Sequence, residues 1–193
     1  MQRSISKEAI EDLPLEQFHG TIHIIETPEQ MDAAVNMIRH EKILGCDTET
    51  KPSFKKGISH KVALLQLASD STAWLIRLNK TNLSDELLEI LEDPSILKIG
   101  VALRDDLRAL TKIRKFTPAG FIDLQDMAKQ SGIEDFSLKK LAALALNIRI
   151  SKRQRLSNWE SPTLSEGQAH YAATDAWVAL GIYKALSEPI NIE

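Results

Sequence analysis

The sequence predicts an α/β fold, a central mixed sheet of five to six strands flanked by helices. Short apolar runs bounded by turn residues come first, and strand-like and helix-like runs alternate after them. That order places helices against a mixed sheet. The length, 193 residues, suits one domain with a sizeable core.

Residues 1–19 are polar and predict an irregular N-terminal arm ahead of a single domain over 20–193. Thr21 to Ile25 predicts the first strand. Thr27-Pro28-Glu29 carries the marks of a helix start, a threonine cap followed by proline. Met31, Ala34, Val35 and Ile38 continue it at helical spacing. Ile43 to Thr50 predicts the second strand. Lys51 to Lys61 holds Pro52, Gly57 and four lysines (Lys51, Lys55, Lys56, Lys61) and predicts a loop. Val62 to Ala68 and Ala73 to Ile76, split by Ser69-Asp70-Ser71, predict a hairpin. Asp85 to Leu91 predicts a short helix. Ile96 to Val101 predicts a fifth strand, leading into a helix over Ala102 to Ile113. After Thr117-Pro118-Ala119-Gly120, Phe121 to Leu124 predicts a short sixth strand. Helices follow, the last from Ser165 to Ser187, with Ser165 and Gln168 as a capping pair.

The formal net charge is −3. This excludes a generally basic nucleic-acid coat, so any polyanion has to meet a local basic patch. A single cysteine excludes an internal disulfide and a multi-cysteine metal site. No apolar run approaches the ~20 residues of a membrane span, and the first residues lack a signal-peptide core. The expectation is a soluble, cytoplasmic protein without membrane attachment.

The chemistry centres on Leu44-Gly45-Cys46-Asp47-Thr48-Glu49-Thr50. Alternate residues of a strand project to one side, so Asp47 and Glu49 leave the end of an apolar strand together. Like charges so placed repel, and burial adds to the cost. Two readings fit: a divalent cation bound by their oxygens, or an exposed strand end with two solvated acids. At ~100° per residue, Ala102, Leu103, Asp106, Leu107, Ala109, Leu110 and Ile113 share one helix face. Arg104, Asp105, Arg108 and Lys112 share the other. A carboxylate in an apolar stripe, as at Asp106, is costly unless paired or metal-bound; backbone N–H groups at the helix start are the alternative partner. In the last helix Tyr171, Asp175, Val178, Ile182 and Leu186 share a face. Tyr171 and Asp175, one turn apart, meet at one point, either as part of a site or as a core tyrosine with a hydrogen-bonded aspartate. One core does not easily hold four unpaired acids, Asp47, Glu49, Asp106 and Asp175. It can hold them around two divalent cations ~3.5–4 Å apart, an arrangement suited to in-line phosphoryl displacement.

This ordered set resembles the DEDDy branch of the DnaQ-like 3′–5′ exonucleases. It comprises D-x-E on a strand, Asp106 closing Lys98-Ile99-Gly100-Val101-Ala102-Leu103-Arg104-Asp105-Asp106, and Tyr171-x-x-x-Asp175. The exonuclease domains of ribonuclease D and of the Werner syndrome protein are the nearest look-alikes. Val62-Ala63-Leu64-Leu65-Gln66-Leu67 is similar to the family's second strand. Ser137-Leu138-Lys139-Lys140-Leu141-Ala142, Ser157-Asn158-Trp159 and the stretch from Leu164 to Ala176 are similar to ribonuclease D. The resemblance spans about residues 20–187. It implies a ribonuclease H-like fold. It also implies Asp47, Glu49 and Asp175 as direct metal ligands, Asp106 on a second metal through water, and Tyr171 orienting or deprotonating the attacking water, of which a tyrosine's ordinary pKa of ~10 favours orientation. Two divalent ions, Mg²⁺ or Mn²⁺, are the implied cofactors, since both take oxygen ligands. The implied activity releases nucleoside 5′-monophosphates from the 3′ ends of single-stranded DNA or RNA. Asp105-Asp106 admits two registers, and the helix face favours Asp106.

Arg149, Lys152, Arg153 and Arg155 form a basic cluster suited either to phosphate or to a solvated loop. Lys51, beside the first motif, has the same two readings. Trp159 is suited to stacking a base or to filling the core. Two rival functions are a catalytically weak nucleic-acid-binding module of the same fold and a phosphodiesterase acting on short oligonucleotides.

Overall fold

The computed structural model describes residues 2–55, 57 and 60–187. Lys56 of the predicted basic loop and residues 188–193 of the predicted domain lie outside the described residues. Six strands form one sheet: β1 (Thr21–Ile25), β2 (Ile43–Thr50), β3 (Val62–Ala68), β4 (Thr72–Ile76), β5 (Leu97–Gly100) and β6 (Phe121–Asp123). Their order is β1-β4-β3-β2-β5-β6. The predicted hairpin is present, with β3 antiparallel to β4 and to β2. The pairs β1–β4, β2–β5 and β5–β6 are parallel. Every residue of the central strand β3 is buried, as its unbroken apolar run requires of a strand covered on both faces.

Helices α2 (Pro28–Ile38) and α4 (Asp85–Glu92) cover one face. Their apolar stripes join Cys46, Leu65, Leu67, Trp74 and Ile76 in one core cluster. Helix α5 (Leu103–Ile113) closes this face through Leu110. The other face is covered by α8 (Glu166–Ser187), with α6 (Leu124–Gln130) and α7 (Leu138–Leu146) beside it. The sequence-read helix starts hold. Thr27 and Gln30 form a reciprocal capping box. Ser165 and Gln168 do the same, with hydrogen bonds of 3.0 and 3.2 Å.

Three local features depart from the sequence reading. Residues 6–18 are not an irregular lead-in. They include a helix, α1 (Lys7–Glu11), capped by Ser6, and they bury Ile10 and Phe18. A four-residue helix, α3 (Leu78–Thr81), follows β4; it is too short to show a helical period. Helix α5 starts one residue late because Ala102 adopts a left-handed backbone, φ 58°. The carboxylate of Asp123, 20 residues downstream, accepts from the Ala102 and Leu103 N–H groups at 3.0 and 2.9 Å. Ala102 is therefore an exposed cap residue and not part of the apolar face.

The contact that sets the site is between α8 and β2. A Cβ at Gly45 would sit 1.7 Å from the Ala176 carbonyl oxygen. Ala169, Ala172, Ala173 and Ala176 all lie in the interface cluster, so the small side chains of α8 let the helix lie directly on the strand. Gly45→Ala therefore forces the helix off the sheet. Overpacking of this kind costs about 1–3 kcal/mol or more, and each kcal/mol lowers Tm by about 2–4 °C at this size. A Tm lowered by about 10 °C, or insoluble protein, is the expected result of a thermal melt of Gly45→Ala.

Candidate active site

Gly45, Asp47 and Glu49 alternate along β2 and so share the face against which α8 lies. On α8, Tyr171 and Asp175 are one turn apart and point back at that strand. The result is one cluster. Carboxylate oxygens of Asp47, Glu49 and Asp175 all lie within 4.8 Å of one another. Asp175 is only 6% exposed, while Asp47 and Glu49 are half-buried.

Asp106 arrives from the other side of the strand. Thr48, between the two acids, points to the opposite face, and its hydroxyl donates to Asp106 Oδ1 at 2.6 Å. Asp106 is half-buried and stands outside the three-acid group. Its charge still reaches Asp47 and Glu49. Asp105 points away, exposed, 3.3 Å from Arg108. Of the two registers, the helix thus turns Asp106 towards the strand. Thr48 was not legible as a site residue. Its signal was its place between two same-face acids, which sends it to the other side.

Crowded acids in a partly dry site resist ionisation. Burial, then the charges of Asp175 and Asp106, raise the Asp47 carboxyl well above the carboxylate range. Burial and the Asp47 charge push Glu49 up to about 9. Burial pushes Asp175 up to about 7, moderated by Tyr171 and Lys152. The Tyr171 phenol is raised by burial and by the neighbouring Asp175 and Glu49 charges. Such a cluster is relieved by a proton or by a cation. Three carboxylates converging from two elements form an all-oxygen donor set, which fits a hard divalent ion.

A cavity of about 220 Å³ opens onto these acids and is also lined by Lys139, Lys152 and Arg155. Lys139 did not stand out in the sequence, because its helix carries two adjacent lysines and only the packing of α7 selects one. The other predicted contacts divide. Arg153 lines an adjoining cavity. Lys51 is paired with Glu160 at 3.3 Å. Arg149 is tied to the N-terminal arm, its Nε donating to the Leu13 carbonyl at 2.9 Å. Trp159 has no exposed surface. Its ring lies 6.0 Å from that of Tyr171, so it backs the tyrosine and offers no face to a base. This corrects the stacking reading. Cys46 is buried, and burial beside Asp47 pushes its thiol up, away from the reactive thiolate.

The family model for 3′–5′ exonuclease domains matches residues 22–191. The putative 3′–5′ exonuclease R431 of Acanthamoeba polyphaga mimivirus is 33% identical over 78% of this chain and 41% of its own length. The mouse bifunctional 3′–5′ exonuclease/ATP-dependent helicase WRN is 32% identical over 94% of this chain and 14% of its own. The crystal structure of Escherichia coli RNase D superposes with a TM-score of 0.78 at 24% identity, over 86% of this chain and 44% of that one. The chain thus spans less than half the length of these relatives. Its architecture is the ribonuclease H-like one. The chain belongs to the 3′–5′ exonuclease domain family. No described helix is long and apolar enough to cross a membrane.

Metal binding is testable without an activity assay. Mn²⁺ or Mg²⁺ is expected to raise the Tm of the wild type in a thermal melt, by mass action on the folded state. The rise is expected to vanish in Asp47→Asn. In EDTA the same variant is expected to melt no lower than wild type, because it loses a repelling charge. An equal metal-induced rise in the variant would show that these acids do not hold the ion.

Proposed function

We propose that this chain is a metal-dependent exonuclease that shortens single-stranded DNA or RNA from the 3′ end and releases nucleoside 5′-monophosphates. The convergence of Asp47, Glu49 and Asp175 within 4.8 Å carries this reading, together with membership of the family. Asp47, Glu49 and Asp175 would hold one divalent ion, and Asp106, steered by Thr48, would reach a second through water. Bound there, two divalent cations, Mg²⁺ or Mn²⁺, supply Lewis-acid activation of water and charge stabilisation of the leaving oxygen.

The chain's own residues do the positioning. Tyr171 keeps its proton at neutral pH, because burial and the neighbouring carboxylates disfavour the phenolate. It is therefore suited to orient the attacking water and not to deprotonate it. The buried Trp159 ring packs against it, tilted by 37°. Lys152 and Arg155, on the wall of the same cavity, provide the positive charge that a phosphate needs to approach four acids on a chain of net charge −3.

A gel time course with 5′-labelled DNA and RNA oligomers tests the reading. A ladder shortening from the 3′ end is expected with Mg²⁺ or Mn²⁺, and none with EDTA or with Asp47→Ala. Folded protein that binds oligomers without cutting would instead favour the binding module, and faster turnover of dinucleotides than of oligomers would favour the phosphodiesterase. In the same assay Tyr171→Phe is expected to lower kcat about 10²-fold, the scale of a mispositioned attacking group. Asp106→Asn is expected to abolish turnover, while Asp105→Asn stays near the wild type. Equal losses from the two aspartates would rule out the assignment of Asp106.

A further inference from the structure

A second cavity, about 660 Å³, is lined by Glu11, Leu15, Glu16 and Gln17 of the N-terminal arm. It adjoins the first: Lys139, Ile150, Ser151, Lys152 and Tyr171 line both. Two cations therefore stand at the junction. Burial, then the like charges of Lys139 and Arg155, lower the proton affinity of Lys152. Lys139 is 20% exposed, and its ammonium donates to Glu11 Oε1 at 2.7 Å. Glu11, the last residue of α1, is itself 61% exposed.

The arm around Glu11 is firmly held. Its backbone pairs with Arg149 on both sides, Arg149 N–H to the Pro14 carbonyl and Glu16 N–H to the Arg149 carbonyl, each 2.9 Å. Phe18 is buried and its N–H donates to Thr174 Oγ1 at 3.0 Å. Freeing Lys139 thus requires one exposed side chain to rotate, not the arm to unfold. A carboxylate and a phosphate oxygen offer an ammonium the same acceptor chemistry. The Glu11 carboxylate lines the second cavity and holds Lys139, which lines both.

We propose that the second cavity holds the phosphodiester backbone upstream of the 3′-terminal nucleotide, with Lys139 as a phosphate ligand and Glu11 as the displaceable occupant of that phosphate's place. The inference rests on the exonuclease reading. It adds a path for the strand and a competitor built into the chain, in a segment that precedes the residues matched by the family. The arm is a wall of the binding groove, and its last helical residue sets how readily a strand enters.

The test is fluorescence anisotropy with labelled phosphorothioate oligothymidylate and oligouridylate over a salt series, alongside the gel assay on ordinary oligomers. Glu11→Gln is expected to tighten binding about two- to fivefold at low salt, the range of a partly exposed ion pair. Lys139→Gln is expected to weaken it and to reduce the slope of log affinity against log salt by about 0.7, one phosphate contact on a single strand. In the Lys139→Gln background the gain from Glu11→Gln is expected to disappear. The control is Glu166→Gln, since Glu166 lines the same cavity, is 91% exposed and lies nearest a histidine, not a lysine. A gain that survives without Lys139, an equal gain from Glu166→Gln, or no gain at all would overturn the inference while leaving the nuclease intact. Wild-type protein that neither binds nor cuts any oligomer would overturn both.

Discussion

Helix α8 lies on β2 because Gly45 has no side chain at the point where the Ala176 carbonyl passes. Everything chemical in the molecule depends on that approach. Asp175 is one residue before Ala176, so the close crossing delivers its carboxylate against Asp47 and Glu49. Tyr171 follows one turn earlier, braced by Trp159. A thicker interface would leave the same residues in the same order but too far apart to share an ion.

The cost of this arrangement is electrostatic. Three acids within 4.8 Å oppose folding in their ionised form, and burial makes the repulsion stronger. The fold absorbs it through apolar packing on both faces of the sheet. Large clusters flank the strands, one with α2 and α4 and two with α8. This is the usual pattern of a site whose strain is borne by a rigid scaffold. The fourth acid is placed by a different device. Asp123 caps the start of α5 through two backbone N–H groups, and that start sets the rotation of Asp106 towards Thr48.

Charge is also partitioned across the molecule. The acids face one cavity wall, while Lys139, Lys152 and Arg155 face another. The N-terminal arm lies across the outer side of the basic wall, hydrogen-bonded to it through Arg149. A polar lead-in thus becomes structural: Ile10 and Phe18 supply the apolar anchors, and Glu11 meets Lys139, which lines the cavity that holds the acids.

The sequence by itself determined the strands, the long helices, the cap at Thr27, the capping pair at Ser165, and which acids face inward. These follow from local periodicity and from short-range hydrogen bonds, which neighbouring residues settle among themselves. The six-stranded order, the left-handed start of α5 and the helix in the arm were decided only in three dimensions, because each depends on a partner far along the chain. So were the fates of individual site residues. Trp159 has the right chemistry to touch a nucleic acid, but packing turns it into the core; Arg149 lines the second cavity with its Nε held by the arm. Lys139 lacks any local mark, Thr48 has only its place between two same-face acids, and the meeting of α7, β2 and α5 gives them a place beside the site. Residue type sets what a side chain can do; burial and partners, which are tertiary quantities, decide whether it does so here.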